Sequence, residues 1–421
     1  MASSSVSISD KGHDFASKTD WQNGRLSQEI VDEIIEFGDE DEETLKACSL
    51  TCRSWVEASQ TLLHSCVRLT AKSLLADPNR YSNPDVAKYV ETLMITGLPS
   101  ASPGTLGDPT IKSKVQAGWD VLARLSKVET LMIRWLDMRK EDPASILPYL
   151  LDKSIFPIVE KMVLPENAYF ASFHAFAQFI TSFPSLGHLE IQGLAWPSDE
   201  SDGSLSEELV GKARDLTQRL SFLAFKLTDS DAEVVSPTTA IGFAKLIQPV
   251  NNCSITQFTM LDWSLAQAPT ALSSMFQTFG PSLTTLELSM DALGPTPAIA
   301  KCGFQYLSNL ETLQFQFFRN NEITPNTAII PAVLAQVNSR RLIQVILMCE
   351  DIGGDNITSV VNWYNIDDAV EGGDFDSLQR LVVVLHPSDW DHGVEDRVED
   401  CLPYCMSRGI VFMEFADLND I

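Results

Sequence analysis

Val90-Glu91-Thr92-Leu93-Met94-Ile95 recurs letter for letter as Val128-Glu129-Thr130-Leu131-Met132-Ile133, and Leu310-Glu311-Thr312-Leu313 repeats its first four positions with one apolar exchange. An identical hexapeptide 38 residues further on marks an internal repeat, and repetition decides the architecture before any other feature does. The underlying pattern is apolar-x-x-apolar-x-apolar. Its central residue falls at Leu93, Leu131, Met162, Leu189, Leu223, Phe258, Leu286, Leu313, Val345, Leu381 and Met413, with gaps of 27 to 38 residues.

At 44% apolar content such a pattern matches about one window in twelve by chance, so spacing and flanks must carry the inference. Several occurrences share a run-in: Phe183-Pro184-Ser185-Leu186, Gly280-Pro281-Ser282-Leu283, Leu307-Ser308-Asn309-Leu310 and Phe375-Asp376-Ser377-Leu378. Each sets a turn signal directly before a short β-type run. Helix-like stretches lie between, such as Phe173 to Ile180 and Ala268 to Phe279. The expected period is therefore strand, loop, helix, turn, an α/β fold in which each unit buries its strand and helix against its neighbours. A doubly wound α/β sheet uses the same alternation, with the Val345 and Leu381 strands central, but no glycine fingerprint accompanies it.

This body resembles an irregular leucine-rich repeat solenoid over about residues 89–421. Its motif is degenerate: most units lack the Asn or Cys that follows the strand in that family, and the period is longer than usual. The resemblance implies a target-protein surface on the strand face, where Thr92, Glu129, Glu190, Glu287, Glu311 and Gln314 are the candidate contacts.

The N-terminal part reads differently. Residues 1–20 are rich in Ser, Asp and Lys, with the composition of a disordered tail. From Leu26 the apolar positions Ile30, Val31, Ile34 and Ile35 recur at helical spacing, with Ser27 placed to cap the helix and Gly38 to end it. After the acidic run Asp39 to Glu43, a second stripe runs through Leu45, Cys48, Cys52, Trp55 and Val56, and a third helix is expected through Leu62 and Leu63. So small a helical unit buries too little surface to stand comfortably alone and should lean on a neighbour or partner.

Leu26-Ser27-Gln28-Glu29-Ile30, then Ile34-Ile35, then Leu45-Lys46-Ala47-Cys48-Ser49-Leu50-Thr51-Cys52-Arg53-Ser54-Trp55, resembles an F-box of the fungal type. Ser27 stands where that family has Pro. The resemblance implies a three-helix F-box at 21–66, joined by a linker helix region at 67–88 to the repeats. It also implies docking on a Skp-type cullin adaptor through Leu26, Ser27, Ile30, Ile34, Leu45, Leu50, Cys52 and Trp55, without separating contact residues from packing residues. The implied function is that of a substrate-recognition subunit of a Skp-cullin-F-box ubiquitin ligase. A repeat scaffold without a ubiquitin role is the alternative.

Charge narrows the partners. The chain has 30 Lys+Arg against 57 Asp+Glu, a net charge of −27, which opposes nucleic acid and anionic lipid. It is unevenly spread: residues 1–66 carry −8 and residues 350–421 carry −14, leaving a nearly neutral body. The acidic C-terminal part either attracts a basic target or keeps a terminal repeat soluble. No apolar run approaches a membrane span and no signal peptide opens the chain, so neither membrane nor secretion is expected, and the address is cytoplasmic and/or nuclear.

Enzymatic chemistry is not expected. There is no phosphate-binding loop, dinucleotide fingerprint, nucleophile elbow or zincin helix, and only six histidines supply general bases. Asp389-Trp390-Asp391-His392 reads as a solvated loop. Cys48/Cys52 and Cys401/Cys405 share helical faces at i, i+4 spacing, but further ligands are lacking, so the eight cysteines read as free core thiols. Neither metal nor cofactor is expected.

Overall fold

The computed structural model describes residues 28–36, 42–51, 53–70, 83–96, 122, 124–134, 136–138, 156–165, 168–196, 206–226, 242–244, 246–247, 253–260, 269–289, 299–318, 328–350, 361–385 and 393–415. The chain divides into two compact units, residues 1–66 and 67–421.

The first unit is helical: α1 (Gln28–Glu36), α2 (Glu42–Thr51) and α3 (Arg53–Ser65). Val31 and Ile35, four residues apart on α1, meet Leu45 and Cys48 of α2 in a small core, against which Trp55, Ala58, Leu62 and Leu63 of α3 pack. Glu42 and Glu43 occupy the first turn of α2, where the helix dipole favours them, and both reach Lys46, at 2.9 and 2.8 Å. The stripe from Leu45 to Val56, expected on one helix, is shared between two. Near the end of α2 the hydroxyls of Ser49 and Thr51 donate to the carbonyls of Lys46 and Ala47. Leu62 and Leu63 lie on the same helix as Trp55.

The second unit is built on a 12-stranded sheet ordered β1-β2-β3-β5-β7-β9-β10-β11-β12-β13-β14-β15. Its strands are β1 (Cys66–Thr70), β2 (Thr92–Thr96), β3 (Thr130–Arg134), β5 (Lys161–Leu164), β7 (His188–Gln192), β9 (Phe222–Lys226), β10 (Gln257–Met260), β11 (Thr285–Ser289), β12 (Thr312–Phe318), β13 (Gln344–Glu350), β14 (Arg380–Leu385) and β15 (Val411–Phe415). From β2 to β15 every neighbouring pair is parallel. Each strand is added beside its predecessor in chain order, so the order never reverses. A doubly wound sheet requires such a reversal, and the described strands contain none.

The repeat pattern is also the register. Leu93 pairs with Leu131, Leu131 with Met162, Met162 with Leu189, Leu189 with Leu223, Leu223 with Phe258, Phe258 with Leu286, Leu286 with Leu313, Leu313 with Val345 and Val345 with Leu381. All ten side chains are fully buried. At the last strand the expectation slips: Leu381 faces Val411, and Met413 faces Val383.

Between the strands come α4 (Pro84–Ala87), α5 (Phe173–Thr181), α6 (Glu207–Arg219), α7 (Pro269–Phe279), α8 (Ile329–Leu334), α9 (Trp363–Gly372), α10 (Val394–Glu399) and α11 (Pro403–Ser407). Ser172 and Ser206 cap α5 and α6 by accepting from the amides of Ala175 and Leu209. Helix and inward strand residues share one apolar core. A continuous series of ring contacts, Phe170 to Phe176 to Phe243 to Phe225 to Phe258 to Phe276 to Phe304, runs through it at centroid separations of 4.9 to 6.1 Å.

Among its described residues the segment 67–88, expected as a linker helix region, holds strand β1, in which Val67 and Leu69 are buried between exposed neighbours, and the short helix α4. A second, parallel sheet of β4 (Asp137–Met138), β6 (Ala168–Phe170) and β8 (Leu194–Ala195) also went unanticipated. Gly193, at φ 72, makes the left-handed bend between β7 and β8.

The shared run-ins have a common task. Ser185 donates to the carbonyl of Pro157, Ser282 to Ile255, Asn309 to Pro281 and Ser377 to Arg340, at 3.1, 2.9, 2.6 and 2.6 Å. Each polar residue stitches its turn to the preceding one, and the small Ser or Asn at that position is thereby explained.

Candidate interaction surfaces

On the helical unit, the apolar residues divide sharply. Leu45 is buried and Trp55 packs against the helical core, which assigns both to the packing of the unit. Ile30 and Ile34, one helical turn apart on α1, are exposed, as is Val56, and Leu50 at the end of α2 is 86% exposed. Leu26, Ser27 and Cys52 lie outside the described residues. The candidate contact residues thus separate into an exposed set of Ile30, Ile34 and Leu50 and a packing pair of Leu45 and Trp55, a distinction that helical spacing alone leaves open.

On the sheet, the side facing away from the apolar core is polar at mid-sheet and apolar toward both ends, where Met94, Met132 and Val163 and then Ile346, Val382 and Phe412 continue the same register row. Glu190, Glu287 and Gln314 occupy one register row, together with Ala224 and Thr259. Both carboxylate oxygens of Glu287 are engaged by neighbouring strands: Thr259 Oγ1 donates to Oε2 at 3.0 Å, and Gln314 Nε2 donates to Oε1 at 2.9 Å. Glu190 accepts from Gln192 Nε2 at 3.2 Å and lies 3.9 Å from His188 Nε2, whose ring stacks on Phe222 at 3.9 Å between centroids. These acids are held within the sheet by their neighbours, so reaching a partner requires breaking those bonds first.

Three of the other expected contacts sit elsewhere. Thr92 is half-buried in the row at the start of the strands, paired with Thr130. Glu129 and Glu311 precede the first paired residue of β3 and β12, and therefore lie at the sheet's rim rather than on its open face. There the amides of Glu160 and Glu129 donate in turn to the carbonyls of Glu129 and Glu91, which sets three exposed glutamates in successive turns. The stitching role of the run-ins that neighbour this rim is what sequence reading passed over; its signal is the recurring polar residue directly before Leu186, Leu283, Leu310 and Leu378, each two residues ahead of its strand.

Cys48, Cys302, Cys349 and Cys405 are buried core thiols, Cys253 and Cys401 are partly buried, and Cys66 is exposed, against the expectation of core thiols throughout. Cys302 is fully buried, and burial pushes its pKa up to about 12; burial, with the Asp367 carboxylate next, also raises Cys405. Both are protonated environments, unlike those that activate a thiolate. Among the described residues no three His, Cys, Asp or Glu side chains cluster as metal ligands. Cys52 and the stretch 389–392 lie outside the described residues. No helix among the described residues is long and apolar enough to cross a membrane.

No family model matches the chain, and no curated protein does. Among solved structures, a crystal structure of a protein from Bacteroides fragilis aligns at 10% identity and a TM-score of 0.38, covering 87% of this chain and 84% of that one. A likeness that distant assigns neither family nor function.

Proposed function

We propose that the chain is a substrate-recognition subunit of a Skp-cullin-F-box ubiquitin ligase: the helical unit is an F-box that docks a Skp-type adaptor, and the strand–helix array is an irregular leucine-rich repeat solenoid that holds a target protein. In this reading the chain performs no covalent chemistry and works in the cytoplasm or nucleus. It brings a target lysine near a ubiquitin thioester carried by another subunit, and proximity is its contribution to the rate.

The observation that supports the reading is the division of apolar residues in the helical unit. The stretch from Leu45 to Trp55 that carries the F-box resemblance turns Leu45, Cys48 and Trp55 toward its own core, while Ile30, Ile34 and Leu50 stay exposed. Apolar side chains left in water on so small a unit fit a docking face. The test is co-expression with a Skp-type adaptor. A stoichiometric complex is expected, lost on Ile34→Asp and on Leu50→Asp with the helical circular dichroism unchanged. Trp55→Asp is the wrong probe, because it disrupts the unit's packing. A folded chain that ignores the adaptor points to the plain scaffold instead.

A further inference from the structure

We infer that the outer edge of β15 takes up an extended, basic segment of a partner protein by strand addition. Among the described residues β15 is paired on one side only, at the end of the sheet order. The amide of Leu381 donates to the carbonyl of Ile410 at 2.7 Å, which fixes the phase of the parallel ladder. In that phase Phe412 and Glu414 direct their backbone groups toward β14, and Val411 and Met413 direct theirs outward. An outward row of amides and carbonyls is a template for another strand.

The apolar core is also open at this edge. Val411, Met413, Tyr404 and Cys401 are only partly buried where they pack against it, whereas the corresponding β14 residues Leu381 and Val383 are fully buried. Alternate side chains of an added strand would complete the burial that each interior strand receives from its neighbour.

Charge selects the occupant. The last described segment, residues 393–415, which ends in β15, holds five acids, Glu395, Asp396, Glu399, Asp400 and Glu414, against two bases, Arg397 and Arg408. Arg380 is bound to Glu414 at 2.8 Å, and Arg408 donates to the carbonyls of Phe375 and Leu378 at 3.3 and 2.9 Å. A second copy of the same net-acidic segment is repelled, and a lysine- or arginine-rich strand is attracted. The inference is independent of the adaptor reading, because it concerns a different unit and either can fail alone.

The test uses the 421-residue chain and three labelled eight-residue peptides read by fluorescence anisotropy: alternating Lys/Val, alternating Glu/Val, and Lys/Val N-methylated at every residue. The Lys/Val peptide is expected to bind at least tenfold more tightly than either of the others, more weakly as salt rises, and to slow amide exchange at Val411 and Met413. Met413→Pro, which removes an outward amide, is expected to reduce binding; if that variant misfolds, the exchange pattern of the unaltered chain decides. Equal binding of the N-methylated peptide overturns strand addition, and equal binding of the Glu/Val peptide overturns the charge selection. A dimer whose Val411 and Met413 amides are already protected without peptide overturns the choice of occupant.

Discussion

Asp367, buried on α9, accepts the backbone amides of Tyr404 and Cys405 at 2.9 Å each and so caps α11 from the preceding repeat. A carboxylate at a helix N-terminus satisfies orphan amides and meets the favourable end of the dipole. Here it also ties together segments 37 and 38 residues apart in the chain. Asp367→Ala leaves two amides without acceptors and is expected to cost about 1–3 kcal/mol, with Asp367→Asn costing less. Urea unfolding of the two variants checks this; equal midpoints for wild type and Asp367→Ala would show that the bridge contributes nothing.

The register row predicts a contrast within one strand. Leu286 is fully buried between Phe258 and Leu313, and its neighbour Thr285 is half-buried on the other side. Leu286→Ala is expected to destabilise by about 2–5 kcal/mol. Thr285→Ala is expected to stay within about 0.5 kcal/mol of wild type. Thermal or urea unfolding read by circular dichroism distinguishes them, and comparable losses would mean that the two faces of the sheet are not different.

The buried thiol gives a pH dependence with a definite sign. Cys302 titrates near 9.0 when unfolded and is pushed up to about 12 by burial in the fold. Below pH 9 both states keep the proton and the thiol is neutral to stability. As pH rises from 9 toward 12, the unfolded chain ionises first, so stability falls across that window. Cys302→Ala should flatten this part of the profile, measured as urea midpoints at pH 8 and pH 10.5. A variant whose midpoint falls as steeply as that of wild type removes Cys302 from the explanation.

The array was legible in the sequence because each strand contributes two inward apolar residues at fixed separation, and stacking demands that they recur. Met413 shows where that logic ends. Ile410, Met413 and Phe415 satisfy the pattern, yet the ladder sets Val411 opposite Leu381. A slip of two residues keeps every side chain on its own face, so hydrophobicity cannot distinguish the registers. Strand β1 escaped because only Val67 and Leu69 mark it, and β4, β6 and β8 because two or three residues carry no periodicity.

The surfaces were less legible than the core. Helical spacing places Ile30, Ile34, Leu45 and Trp55 on apolar stripes, but which of them faces a neighbouring helix depends on how α2 and α3 cross, and Thr51 and Arg53 mark a break that the stripe conceals. Glu287 reads from sequence as a free strand-face acid. Its bonds to Thr259 and Gln314 come from residues 28 and 27 positions away, brought beside it only by the register.

The most direct measurement of the central claim is isothermal titration of a purified Skp-type adaptor into the folded 421-residue chain. Saturable binding at one adaptor per chain is expected, abolished by Ile34→Asp and unaffected by Gln314→Ala on the sheet of the second unit. Absence of binding by a chain whose circular dichroism confirms folding, or binding that survives Ile34→Asp and Leu50→Asp together, would contradict it.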